Sequence, residues 1–164
     1  MPTSSGSREA EREVVDVDRI TVKLSELEHR IDRIRTNRRA SAAELEDDED
    51  ARDLLSFNLL LAVQCCLDIA SHIIADQGWR PAAKLAESFE RLGEHGVLGA
   101  TTARAMQAGA GFRNVVAHGY GGVDLERLHS AATVGLADLE SFARDVAVWL
   151  QTGAAGPPAT SARP

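Results

Sequence analysis

Aromatic residues are scarce in this chain: two Trp, one Tyr and four Phe in 164 positions. Leu, Ala, Val and Ile carry the apolar content instead, which suits helix packing better than a sandwich of strands. Lysine is nearly absent, found only at Lys23 and Lys84, so almost all positive charge is arginine. Cysteine occurs only as the neighbours Cys65 and Cys66. Neighbours on a helix point about 100° apart, a poor arrangement for a disulfide and, without further Cys or paired His, for a metal. Two buried thiols in a reducing cytoplasm are expected. No Gly-rich phosphate loop follows a strand-like run, and no segment repeats. Met1 to Glu13 is polar and lacks the apolar centre of a signal peptide. The longest apolar stretch, Leu54 to Ile74, is interrupted by Asn58, Gln64, Asp68, Ser71 and His72, so no membrane span is expected. These absences point to a soluble, cytoplasmic protein of the all-α class.

At 17.6 kDa the chain is large enough for one core and small for two. A single domain over 14–151 is expected, between disordered tails at 1–13 and 152–164; the latter is Gly, Ala, Pro, Ser and Thr. The net charge of -7 is uneven. Between 44 and 53 lie Glu44, Glu46, Asp47, Asp48, Glu49, Asp50 and Asp53, with Arg52 as the one base. The remainder is close to neutral. An acidic balance of this kind argues against broad, tight binding to duplexes without excluding a nucleic-acid substrate.

Apolar spacing predicts about five helices. Val17, Ile20, Leu24, Leu27, Ile31 and Ile34 recur at intervals of three and four, a helix over about 15–37. It ends among Arg30, Arg33, Arg35, Arg38 and Arg39, cations suited to a helix C-terminus. Ser41 with Glu44 forms a capping-box pattern, opening a second helix over about 42–76 that stops at Gly78. Its second half is apolar on nearly every side, as expected of a central helix or a dimer interface. Trp79-Arg80-Pro81 breaks the chain. Helices over 82–92, 100–117 and 124–150 follow, the last on a stripe of Leu125, Leu128, Ala132, Leu136, Leu139, Phe142, Val146 and Trp149.

The stretch from Arg113 to Tyr120 concentrates the chemistry. An Arg followed five residues later by His is close to chance in this composition, but Tyr120 is the only tyrosine. Gly119, Gly121 and Gly122 allow close approach to the backbone there. Gly111-Phe112-Arg113-Asn114, Ala117-His118-Gly119-Tyr120 and Val123-Asp124, after Leu60-Leu61-Ala62-Val63-Gln64 and Asp68-Ile69-Ala70-Ser71-His72-Ile73-Ile74, resemble the HepT-like branch of the HEPN superfamily. The resemblance runs from about Asp53 to Trp149, and its most specific element, Arg-x4-His-x-Tyr, is intact. It implies an up-and-down helical bundle that acts as a two-fold dimer and a metal-independent endoribonuclease, usually the toxin of a toxin-antitoxin pair. It also implies a partner, a minimal nucleotidyltransferase antitoxin that adenylylates the motif tyrosine, here Tyr120. No cofactor or metal is expected.

The residue types fit that chemistry. Cleaving RNA without metal needs one group to take a proton from the 2′-hydroxyl and another to protonate the leaving oxygen. His118 suits either task, Arg113 suits the charge on the phosphoryl oxygens, and Asn114 could support RNA or satisfy backbone. Tyr120 ionises too high to act as a base at neutral pH and reads as a switch. On an ideal helix Arg113 and His118 stand roughly 140° apart, so a cleft shared by two copies is the favoured assembly. A non-catalytic helical module that docks to a nucleotidyltransferase stays open as an alternative, as does a purely structural dimer. Asp68 and His72, one turn apart, are expected to share an internal hydrogen bond. Glu26-x-x-His29 is half of a di-iron pattern with no second half.

Overall fold

The computed structural model describes residues 5–112 and 124–153. Within them lie six helices and no strand: α1 (Ser5–Asn37), α2 (Ala42–Glu46), α3 (Glu49–Asp76), α4 (Leu85–Glu94), α5 (Ala100–Gly109) and α6 (Leu125–Gln151). The all-α expectation holds. Helix boundaries differ from it at several points, each for a local reason. Helix α1 begins at Ser5 rather than near 15 and takes in most of the expected N-terminal tail. Residues 8–13 alternate Arg and Glu around Ala10, good helix formers without an apolar stripe, so periodicity alone misses them.

The expected second helix divides in two. Ser41 caps α2, its hydroxyl accepting from the Glu44 N–H at 3.3 Å, while the Glu44 carboxylate reaches back to the Ala40 N–H. One turn later Asp48 begins the chain again as the cap of α3, accepting from the Ala51 N–H at 3.0 Å. That bond, and then the Arg39 guanidinium at 2.7 Å, hold the Asp48 carboxyl below its usual range. Helix α4 starts at Leu85 rather than 82, because the Glu87 carboxylate takes the Ala83 N–H and closes the first turn later. Helix α3 ends as expected at Gly78, whose φ of +66° suits glycine. There the Trp79 N–H bonds the Ile74 carbonyl and the Gly78 N–H that of Ala75, a Schellman closure.

Cross-helix pairs fix the topology. Arg30 Nη1 donates to Asn58 Oδ1 and Lys23 faces Asp68, so α1 and α3 run antiparallel. Arg35 pairs with Glu140, and His129 Nε2 donates to the Arg39 carbonyl at 3.1 Å, so α6 is also antiparallel to α1. The α1 stripe buries Ile20, Leu24, Leu27, Ile31 and Ile34, and the α6 stripe buries Leu128, Ala132, Leu136, Leu139, Phe142, Val146 and Trp149. Phe89 of α4 meets Phe142 edge to face at 5.9 Å. Helix α3 is long and apolar enough to cross a membrane by length and composition, but more than half of its apolar window is buried in the bundle, as befits a core helix.

Candidate functional site

The chain reaches its motif through α5, and α5 is held by its neighbours. Gly99 is its N-cap and has no side chain to offer, so the orphan N–H is met from elsewhere: Asp145 Oδ2 of α6 accepts from the Gly99 N–H at 3.0 Å. Against α4, Gly93 lies so close to α5 that a Cβ there would stand 2.8 Å from that of Ala103. Thr102, Ala103 and Met106 are the buried face.

The helix stops at Gly109, and Ala110 and Gly111 form a turn. This corrects the expected helix over 100–117. Two glycines within three residues weaken the helix there, each by up to about 1 kcal/mol relative to Ala. The motif therefore does not continue α5. Phe112, partly buried, packs against the core just before it. Arg113, Asn114, His118 and Tyr120 lie outside the described residues.

Beyond the motif the chain returns at Asp124, which caps α6 by accepting from the Arg127 N–H at 3.1 Å and sits 3.5 Å from the Arg127 guanidinium. An open groove of about 540 Å³ runs between α5 and α6 beside these two ends. Its lining is mostly small, with Ala105, Ala108, Gly109 and Gly135, and includes Phe112, Val134 and Arg127. Asp138 also lines it, and burial pushes that carboxyl upward.

The remaining polar candidates are structural. Asp68 accepts from Gln64 at 2.9 Å and faces Lys23, so the expected Asp68–His72 bond gives way to these partners. Glu26 is engaged by Lys23 at 3.1 Å and His29 is exposed. Burial pushes the Cys65 thiol up to about 11 and that of Cys66 up as well, so both stay protonated at neutral pH. Nothing in the sequence marks Asp145, whose partner lies 46 positions away, or Gly93, which meets Ala103 only when α4 and α5 fold against each other.

A family model, ribonuclease HepT-like, matches residues 27–146, from the last third of α1 to the last third of α6. The chain belongs to the HepT-like ribonuclease family. No curated protein matches it in sequence. Solved structures share its fold. A toxin-antitoxin structure with AMP-PNP aligns at TM-score 0.73 and 22% identity, covering 80% of this chain and 98% of that one. A tri-AMPylated Shewanella oneidensis HEPN toxin in complex with MNT antitoxin aligns at 0.71 and 22%, covering 79% and 96%. YutE of Bacillus subtilis, a cytosolic protein of unknown function, aligns at 0.72 and 16%, covering 86% and 94%.

Proposed function

We propose that this chain is a metal-independent endoribonuclease, the toxin of a type VII-like toxin-antitoxin system, acting in the cytoplasm as a homodimer. The observation that carries this reading is the family match across 27–146, which spans an intact Arg113, His118 and Tyr120. In the reaction, the 2′-hydroxyl oxygen of RNA attacks the adjacent phosphorus and loses its proton to a base. The bond to the 5′-oxygen breaks, leaving a cyclic 2′,3′-phosphate, and that oxygen takes a proton from an acid. A dimeric cleft supplies both from one kind of residue, His118 of each copy, while the Arg113 fork holds the phosphoryl oxygens. Asn114 supports the substrate beside Arg113.

Tyr120 is the site of control. A minimal nucleotidyltransferase antitoxin adenylylates its hydroxyl, bringing phosphate charge against Arg113 and filling the cleft. The AMPylated Shewanella oneidensis toxin with its MNT partner supports this reading. RNA cleavage in excess chelator tests the activity. Wild type should cut and His118→Ala should lose at least about a hundredfold, the usual worth of a general acid or base. Two equally active proteins, or an inert wild type, would overturn the enzyme reading, the second outcome favouring the docking module.

A further inference from the structure

The groove between α5 and α6 begins where the motif begins, since Phe112 in its lining directly precedes Arg113. Its α6 side carries Arg127, Ser130, Val134 and Asp138. The spacing of Arg127 and Asp138 puts them on one helix face to within about 20° and about 16 Å apart along the axis. Gly109 and Gly135 leave the space between them open, and its volume of about 540 Å³ suits a base with its sugar. Asp138 is the unusual group. It is half-buried and has no hydrogen bond or ion pair among the described residues, whereas Glu140 and Asp145 further along α6 hold Arg35 and the Gly99 N–H. Burial without a donor costs a carboxylate, and a ligand that brings donors recovers that cost.

We infer that this groove holds single-stranded RNA beside the cut, with Asp138 reading a guanine base and Arg127 holding the backbone next to the motif. A carboxylate offers only acceptors, so the base edge against it must offer donors. Guanine alone presents two parallel donors, N1–H and N2–H, which match the two carboxylate oxygens. Adenine and cytosine set one amino group beside a ring nitrogen that accepts, and uracil sets its N3–H between two carbonyls, so each brings an acceptor against the carboxylate. Single-stranded RNA is read in this way, by hydrogen bonds to splayed bases and by aromatic contact, for which Phe112 stands at the motif end. Arg127 is exposed, and Asp124 at 3.5 Å leaves most of its fork open to a phosphate. The inference rests on the nuclease reading above and names the base that it selects.

Binding of 2′-O-methyl hexanucleotides, which have no 2′-hydroxyl to attack, tests it without cleavage. The probes are runs of uridine carrying a single guanosine or a single inosine, the latter lacking the N2 amino group. The full chain should bind the guanosine oligomer about tenfold more tightly, within what a broken bidentate contact costs. Asp138→Asn should lose that difference with its thermal midpoint unchanged. Arg127→Ala should weaken both oligomers alike and lessen the salt dependence. No measurable binding, equal binding of the two by wild type, an Asp138→Asn chain that keeps the preference, or an Arg127→Ala chain that binds as wild type would overturn the proposal. The guanosine and inosine comparison on wild type keeps the test decisive if Asp138→Asn unfolds. Cleavage of the corresponding 2′-hydroxyl RNAs in chelator separates the two readings. A chain that prefers guanosine but cuts neither sinks only the nuclease, and one that cuts both and binds both equally sinks only the base site.

Discussion

Helices α3 and α5 are built on opposite plans. Helix α3 has 28 residues, its own Asp48 cap and a Schellman closure, and it buries 13 side chains. Helix α5 has 10 residues and buries three of them, takes its N-terminal bond from α6, and stops at a pair of glycines. The first is held by the hydrophobic effect spread over many residues. The second is held by a few specific contacts, and it delivers the chain to the motif. Most of the buried core and the approach to the motif thus fall to different helices, so a substitution can injure one with little effect on the other.

That division can be broken most severely in α3. Leu55 is fully buried, and Leu55→Ala removes three buried carbon atoms and leaves a cavity. Thermal unfolding should show a loss of about 2 to 5 kcal/mol. A loss below about 1 kcal/mol would mean that α3 is not the core. Gly93→Ala probes the α4–α5 seam, where the added methyl would meet Ala103 at 2.8 Å. Overpacking of this kind costs about 1 to 3 kcal/mol, and easier proteolysis within 100–112 should accompany it. Unchanged digestion would show that the seam relaxes freely. The smallest effect belongs to Asp145→Ala. Loss of the borrowed cap should cost about 1 kcal/mol in global unfolding while speeding amide exchange at Gly99 and the first turn of α5. Exchange that stays as slow as in wild type would show that Asp145 does not hold the helix.

How much of this could be read in the sequence depends on how local the cause is. The stripes of α1 and α6 name their own buried faces, and Gly78 marks the end of α3, because three- and four-residue periodicity and a positive φ are written within one segment. The division at Asp47–Asp48 was not legible, since an acid at a cap and an acid inside a first turn look alike in a charged run. The overlong fourth helix had the same origin: apolar residues beyond Gly109 and Gly111 continued a pattern that the glycines had ended. Of the candidate site, the residue types are legible as a motif, and the fold supplies its two ends, Phe112 and Asp124. The contact of Asp145 joins residues 46 positions apart, and Gly93 meets Ala103, ten positions on, only once α4 and α5 fold back on each other, a closure that no periodicity encodes.

The bond from Asp145 to Gly99 also sets an order of events. The two residues are 46 positions apart, with the motif between them. A ribosome adding about 5 to 20 residues per second makes Gly99 roughly 2 to 9 s before Asp145. During that interval α5 lacks its borrowed cap, and the stretch from Arg113 to Tyr120 is made before the helix that carries Asp145. The framing of the motif is therefore timed by synthesis, and it is completed only when the last helix has been made.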